Sequence, residues 1–415
     1  MTSKREDDKS WEAGTTRRWS RRRFLEVAGA AAAGLLISGC IPQAEGPTGW
    51  DVPAEDTPEP TAALSSSPVA EATAQPTSAP AAVEESSAVG PGVRSKVAVA
   101  SARDYDRQTI ENALRDMLDD LGGLSDVVRP GDRVAIKVNL TGGLGNQGPP
   151  GFSPMESFVT HPETIRALGG FVRDAGAKEV YIVEAVYQWG SYVEWGLDDI
   201  VGDIDAQLID LNATDPYTEF LDAPVPGGSE MYQTYKINPL LLEVDAFMSV
   251  AKMKCHNVAG VTHSLKNLFG LVPARFYQLS SQHSHRSAFH GPTAETAGQR
   301  VPRIIVELNR LRPVNFALVD GIMTSEGGEG PWINGFHSIT PGVLFAGKDP
   351  VATDAVATAA QGFDPAAPGY SEPFVNGDNH LALAAAAGLG TNRLSDIEVL
   401  GPSIDDIATK FRPSY

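Results

Sequence analysis

Three consecutive stretches decide the fold: Arg133-Val-Ala-Ile-Lys-Val-Asn139, Pro162-Glu-Thr-Ile-Arg-Ala-Leu-Gly-Gly-Phe-Val-Arg-Asp-Ala175 and Glu179-Val-Tyr-Ile-Val-Glu184. The first and third are short, apolar and β-branched, the signature of buried strands. The middle one places Ile165, Leu168 and Val172 on one helical face and Pro162 at a first helical position, where its missing N–H does no harm. Strand, helix, strand is the repeating unit of an α/β domain.

The same alternation extends outward from this unit. Further strands are expected at Lys96–Ala100, Gln207–Leu211, Ala246–Ala251, Asn315–Asp320, Gly342–Ala346 and Ile397–Leu400. Helical patterns fill several gaps, at Asp106–Leu121 (Ile110, Leu114, Met117 and Leu118 on one face), Val301–Leu311, Pro350–Ala360 and Asn379–Ala387. The expected architecture is a mixed or mostly parallel sheet with flanking helices, over residues 93–415. Residues 185–245 are less regular and read as an insertion or a small second lobe. No internal repeat is present.

Upstream of this domain the composition changes. Ser20-Arg21-Arg22-Arg23-Phe24-Leu25 sets twin arginines before an uncharged Ala/Gly-rich run, Val27 to Ile37. That run is shorter than the roughly 20 residues a permanent spanning helix needs. Ile37-Ser38-Gly39-Cys40 then supplies the small residues and the cysteine of a bacterial lipoprotein cleavage box. The expectation is a twin-arginine signal over residues 1–40, lipidation at Cys40, and a protein held in the cell envelope outside the cytoplasmic membrane by its lipid anchor. Residues 41–92 are rich in Pro, Ala, Ser, Thr and Glu, with Trp50 their only aromatic residue. Such a composition buries too little surface to offset ordering entropy, so it reads as a disordered tether.

The chain has 415 residues and a formal net charge of −19. Without the first 40 residues, which hold 8 Lys/Arg and 5 Asp/Glu, there remain 25 basic and 47 acidic groups, a net of −22. A surface of that sign repels phosphate backbones and argues against nucleic-acid binding. The only cysteines are Cys40 and Cys255. With Cys40 lipidated, Cys255 has no partner in the chain, and no cysteine-ligated iron–sulfur cluster can form.

Gly143-x-Gly145-x-x-Gly148 matches the letters of a dinucleotide-binding fingerprint, but Pro149-Pro150-Gly151 follows it and no helix opens there, so the fingerprint is rejected. A glycine loop near a strand's carboxyl end, able to cover a site, is expected instead. Lys137 and Asn139 share a face by the period of two, at the end of a strand where open α/β sheets bind ligands. A snorkelling lysine and a turn asparagine are the plainer alternative. Thr160 is a good helix cap beside His161, and backbone amides there favour an anion; simple capping is again the alternative.

The most unusual stretch is Ala251-Lys-Met-Lys-Cys-His-Asn-Val-Ala-Gly-Val-Thr-His-Ser-Leu-Lys-Asn-Leu-Phe-Gly270. Lys252, Lys254, His256, His263, Lys266 and Asn267 crowd an apolar run of an acidic protein. A helix over 259–269 would put His263, Lys266 and Asn267 on one face. His283, His285 and His290 follow, so five of the eight histidines fall between 256 and 290. Three readings stay open: a divalent-metal site built from His256, His263, His283 and His285, a cationic pocket for an anionic ligand, and a merely structural cluster. Downstream, Asp320 ends a buried strand, Glu326 opens a glycine-rich loop, Asp349 caps a helix and Asp354 lies one turn inside it.

These motifs, taken in order, resemble the domain-of-unknown-function family 362 of bacterial and archaeal proteins. The carriers are Gly131–Asn139, Thr160-His-Pro162, Ala175–Val180, Lys252-x-Lys254-x-His256, Thr262-x-x-x-Lys266-Asn267-x-x-Gly270, Asp320-Gly-Ile322 with Glu326-Gly327, and Gly347-x-Asp349-x-Val-Ala-x-Asp354. The resemblance runs from about Val97 to Gly401. It implies an α/β fold and one site assembled from these segments, without assigning a reaction. Some family members carry attached ferredoxin-type cysteine motifs, which this chain lacks.

The expected function is that of an anchored extracytoplasmic enzyme acting on a small anionic molecule. Lys137, Asn139, Thr160, His161, Lys252, Asn267 and Asp354 are the candidate ligand-binding residues. Lys254, His256, His263, Lys266, Asp320 and Glu326 are the candidate catalytic residues. The rival from another class is a ligand- or cofactor-binding lipoprotein serving a membrane partner. A scaffolding role in a surface complex is the third.

Overall fold

The computed structural model describes residues 94–280 and 285–415. The expected signal, Cys40, the tether and His283 lie outside the described residues. Among the described residues twelve strands run in chain order: β1 (Ser95–Ser101), β2 (Arg133–Lys137), β3 (Glu179–Glu184), β4 (Ala206–Asp210), β5 (Leu221–Pro224), β6 (Thr234–Ile237), β7 (Ala246–His256), β8 (Gly260–Thr262), β9 (Phe316–Glu326), β10 (His337–Ile339), β11 (Val343–Gly347) and β12 (Ile397–Leu400). The helices that matter here are α1 (Arg107–Asp120), α2 (Pro162–Asp174), α3 (Ser264–Asn267), α4 (Ala294–Leu311), α5 (Pro350–Ala360) and α6 (His380–Ala386).

Ten strands form one sheet in the order β12-β1-β11-β9-β7-β2-β3-β4, with β8 and β10 added as short antiparallel partners of β7 and β9. Along that path only the pairings of β11, with β1 and β9, are antiparallel. Every other strand of the path therefore points the same way, and the carboxyl ends of β2, β3, β7 and β9 share one edge. The eight strands of this path are the eight expected from β-branched runs. The irregular region contributes β4 to the main sheet. It also forms two short helices, Gly190–Glu194 and Leu197–Val201, and a separate two-stranded β5–β6 sheet.

Each face of the sheet carries its own apolar core. Ile110, Leu114, Met117 and Leu118 of α1 and Ile165, Leu168 and Val172 of α2 pack with Val134, Ile136, Ile182, Met248 and Val250. On the other face, Val301, Ile304, Ile305 and Leu308 of α4 and Val351, Ala352 and Ala355 of α5 meet Ala135, Val183 and Phe247. Local chemistry sets the helix ends. Asp106 accepts from the Thr109 amide at the start of α1, and Asp349 from the Ala352 amide at the start of α5. After α2, Gly176 at φ 97° allows the left-handed turn into β3. The cap of α2 is His161, whose Nδ1 accepts from the Glu163 amide at 3.2 Å, rather than the expected Thr160.

Strand order reverses between β2 and β7. From β2 the chain steps outward through β3 to β4, then returns to lay β7 on the other side of β2 and continues to β9. At such a switch point the connections leave in opposite directions and open a crevice beyond the strand ends, the usual ligand position of open α/β sheets. Among the described residues, no helix is long and apolar enough to cross a membrane.

Candidate functional site

The strand ends at the β2–β7 switch point are crowded with amines. Strand β7 runs five residues past its expected end at Ala251, and all eleven of its residues are buried. The period of two puts Lys252, Lys254 and His256 in register. A shift in the pairing with β9 falls between Lys252 and Lys254.

Each of three lysines has all three N–H groups engaged inside the protein. The Lys137 Nζ donates to Val138 O (2.7 Å), Glu184 Oε2 (2.9 Å) and Asn267 Oδ1 (3.2 Å). Lys252 donates to Asp320 Oδ2 (2.8 Å), Tyr105 Oη (2.8 Å) and Met323 O (2.9 Å). Lys254 donates to Phe158 O (2.7 Å), Asn139 Oδ1 (3.0 Å) and Glu329 O (3.2 Å). An ammonium carries three donors and no acceptor, so these three are saturated. Burial lowers the pKa of each; for Lys254 it falls to about 7, although the Glu329 charge opposes the shift.

Lys266 differs. It makes no hydrogen bond or ion pair among the described residues, it keeps a partly open face, and its Nζ lies 4.2 Å from the centre of the Phe269 ring. Crowding by protein atoms lowers its pKa to about 8, with the Arg286 and Lys137 charges pushing the same way and Glu329 opposing. Its charge in turn acts on Lys254, His256, His290 and His380, which places it at the hub of the cluster.

The tautomer of His256 follows from its neighbours. Its Nδ1 accepts from the amides of Val258 (3.1 Å) and Ala259 (3.2 Å), so the ring proton sits on Nε2. Burial, then Lys266, hold its pKa well below the usual range. A metal-binding histidine has the opposite arrangement, its second nitrogen donating to an acceptor. His263 is fully buried beside Gln361, and neither ring nitrogen reaches hydrogen-bonding geometry. Among the described residues no group of three or more His, Cys, Asp or Glu side chains is placed to hold a metal ion.

The expected helix over 259–269 is not formed. Gly260, at φ 76°, turns the chain into the β7–β8 hairpin, and only Ser264–Asn267 is α-helical. Its short helix sends Asn267 toward Lys137 and Ser249, whereas Lys266 lies over Phe269. Asp354 reaches from α5 to fix this turn. Its Oδ1 accepts from the Ser264 amide (2.9 Å) and hydroxyl (2.5 Å), and its Oδ2 from the Leu265 amide (2.9 Å). Desolvation pushes the Asp354 carboxyl up to about 7.

Other expected site residues are engaged within the protein. Asp320 is fully buried, and its oxygens take Lys252, Tyr105 Oη and the amides of Ile322 and His161. The His161 ring stacks on Tyr105 with centroids 3.6 Å apart, and burial followed by the Lys252 charge lowers its pKa to about 4. Thr160 ties the end of β2 to β7, accepting from Asn139 N and donating to Val250 O. Glu326 holds the carboxyl-terminal tail through the Arg412 amide (2.8 Å) and guanidinium (2.6 Å). His285 is exposed.

Three residues not singled out from sequence also belong to the cluster. Glu184, at the end of β3, pairs with Lys137. Glu329, in the loop after β9, accepts from the Asn257 amide. Arg286, 6% exposed, is anchored on Val272 O at 2.7 Å. For Glu184 the signal was available: a carboxylate at the carboxyl end of the strand next to β2. The glycine loop packs on the same rim, where a Cβ at Gly142 (φ 92°) would come within 2.5 Å of the Trp332 ring.

Comparison with solved structures finds the lactate racemase apoprotein from Thermoanaerobacterium thermosaccharolyticum at 12% identity and a TM-score of 0.35, over 62% of this chain and 54% of that one. A Thermotoga maritima protein matches at 13% identity and a TM-score of 0.28, over 58% and 56% of the two chains. This chain thus spans little more than half the length of either. The thylakoid-associated protein sll1697 of Synechocystis sp. (strain ATCC 27184 / PCC 6803 / Kazusa) is 28% identical over 271 residues, 65% of this chain and 75% of that protein. Residues 134–359, which carry the whole lysine cluster, match the model of the domain of unknown function DUF362, and the chain belongs to that family.

Proposed function

We propose that the crevice at the β2–β7 switch point binds a small anionic molecule, a carboxylate or a phosphate, and that the protein is an enzyme acting on it. One observation carries this reading: of four clustered lysines, Lys266 alone has its N–H groups unengaged among the described residues. Buried charges are normally paired. Lys137 and Lys252 have Glu184 and Asp320 as ion partners, whereas no carboxylate lies within ion-pair distance of Lys254 or Lys266 among the described residues. An arriving anion supplies the missing partner.

In this reading Lys254, whose pKa is lowered to about 7, contributes positive charge below neutral pH, and Lys266 together with the Nε2–H of His256 contributes the donors. Asn139, Asn267, Thr160 and Asp354 hold these groups in place, and the Lys252–Asp320 pair with Tyr105 and His161 forms the wall. The metal-dependent version needs His283 or His285 beside His256, and the donor tautomer of His256 speaks against it. The proposal includes location: twin-arginine export and lipidation at Cys40 would set the domain outside the cytoplasmic membrane, a step that Cys40→Ser with membrane fractionation tests.

A screen of carboxylates and phosphates by thermal shift and calorimetry tests the pocket. At least one class should bind the wild type and bind Lys266→Met far more weakly, with the fold retained. Equal binding by the two proteins, or no binding of either class, would refute the reading.

A further inference from the structure

The four lysines divide into two chemical kinds. We infer that Lys266 is an imine-forming amine and that the anionic molecule is a 2-oxo acid, whose carboxylate is held beside Lys254 while its carbonyl carbon meets the Lys266 Nζ. This deepens the anion-pocket reading and rests on it.

The division follows from hydrogen bonding. Three acceptors around Lys254 occupy the three N–H groups of an ammonium and leave its nitrogen no open side for attack, although its pKa is lowered as well. Lys266 has no oxygen or nitrogen acceptor among the described residues; its Nζ lies over the Phe269 ring, 4.2 Å from the centre, a cation–π contact that uses up none of its N–H donors on an oxygen. An amine that is crowded and has no carboxylate partner gives up its proton readily, which is how lysine nucleophiles are activated. Its lowered pKa agrees with that placement. A simple anion would be served as well by a permanently charged guanidinium. An amine poised to lose its proton is useful where its lone pair must attack.

His256 supplies the second requirement. With Nδ1 accepting from two backbone amides, its Nε2–H can only donate, which suits an oxygen that gains negative charge. A neutral imidazole so held stabilises the oxygen without transferring the proton. A carboxylate next to Lys254, a carbonyl carbon at the open amine and a carbonyl oxygen at an N–H donor together describe a 2-oxo acid.

The step balances without any further reactant. The neutral Lys266 amine attacks the carbonyl carbon, a C–N bond forms, and the carbonyl π pair moves to oxygen. The two amine protons pass to that oxygen, which leaves as water while the nitrogen lone pair closes the C=N bond. Nothing is oxidised or reduced, and the imine hydrolyses by the same path reversed.

The test incubates the full-length protein with glyoxylate, pyruvate or 2-oxoglutarate, adds borohydride to reduce any imine, and maps the adduct by peptide mass spectrometry. In parallel, calorimetry measures binding of the corresponding 2-hydroxy acids, which carry the carboxylate but cannot form an imine. The expected result is a near-stoichiometric adduct confined to Lys266. Binding of a hydroxy acid without any borohydride adduct, or an adduct spread evenly over surface lysines such as Lys96 and Lys178, would overturn the imine while leaving the anion pocket standing. Absence of both binding and adduct would overturn the two together. Because trapping is read on the wild type, the result does not depend on a variant that folds.

Discussion

Lys252→Met and Asp320→Asn should both destabilise the protein, with opposite dependence on pH. The pair is 0% exposed on both sides, with Nζ and Oδ2 2.8 Å apart. Each substitution strands a charge that the fold cannot hydrate. The stranded group then has the option of becoming neutral, and that option sets a ceiling on the loss. An ordinary aspartic acid titrates near ~3.9, so holding it neutral at pH 7 costs roughly 4 kcal/mol at about 1.4 kcal/mol per pH unit. An ordinary lysine titrates near ~10.4, giving roughly 5 kcal/mol at the same pH. Both figures agree with the ~3–5 kcal/mol usual for breaking a buried pair.

The signs then separate. In Lys252→Met the folded-state pKa of the stranded carboxyl is raised above its unfolded value, so its stability contribution is lost as pH rises. The deficit should shrink to about 1.5 kcal/mol near pH 5. In Asp320→Asn the folded-state pKa of the stranded amine is depressed, so stability is gained as pH rises, and the deficit should shrink to about 2 kcal/mol near pH 9. Lys252→Met should also be the milder change, because Asp320 retains Tyr105 Oη and two backbone amides as donors. Urea unfolding of the wild type, both single variants and the double variant at three pH values measures this. Parallel pH profiles for the two variants, or losses below about 1 kcal/mol, would show that the pair is not a desolvated ion pair.

Affinity for a simple carboxylate should fall as pH rises through about 8, where the free Lys266 ammonium loses its proton, by at most about tenfold per unit; calorimetry in buffers of different ionisation enthalpy should show proton uptake on binding above that pH. Gly270→Ala should cost about 1–3 kcal/mol by overpacking, since its Cβ would stand 2.0 Å from Glu184 Oε1 and 2.8 Å from Lys137 Nζ, a buried pair with no room to retreat; urea titration checks it. Asp354→Asn turns one acceptor toward the amides of Ser264 and Leu265 into a donor, a loss of about 1–3 kcal/mol, and should weaken anion binding because the turn carrying Lys266 is released; unchanged affinity would remove Asp354 from the site's support. Arg412→Ala removes the guanidinium contact with Glu326 while leaving the one from its backbone amide, and should loosen the neighbouring Gly327–Trp332 loop, seen as altered Trp332 fluorescence and faster proteolysis after residue 326.

The centre of the main sheet was legible because β2, β3, β7, β9 and β11 are buried on both faces and so read as largely unbroken apolar runs. The short additions β8 and β10 were not, since three-residue strands exist only through their partners β7 and β9. The far half of β7 was missed for a different reason. Lys252, Met253 and Lys254 look like a surface stretch until Asp320, Tyr105, Asn139 and Phe158 supply acceptors, and those lie between 68 and 147 residues away along the chain. Amphipathic spacing suggested a helix at 259–269, but Gly260 and the hairpin pairing with β7 took precedence over it. Similarly, Thr160 has the better capping chemistry, yet its hydroxyl is taken by Val250 O and Asn139 N, leaving His161 to cap.

For the site, sequence located the segments but not the division of labour. Lys137, Lys252, Lys254 and Lys266 are equivalent as letters, and only the count of acceptors around each Nζ separates three saturated amines from one that is open. Stability alone is a poor reason to bury two ion pairs, because well-packed apolar side chains of similar volume do as well or better. What the pairs provide is position. Lys137–Glu184 clamps the end of β2 to β3 and, through Asn267, to α3; Lys252–Asp320 clamps β7 to β9 and, through the His161 amide, to the start of α2. Lys266 projects from the turn that Asn267 and Asp354 hold between these clamps. A single amine without a carboxylate partner is thereby held rigidly between two buried ion pairs, an arrangement in which an incoming anion meets preorganised groups and little of its binding energy is lost to ordering the protein.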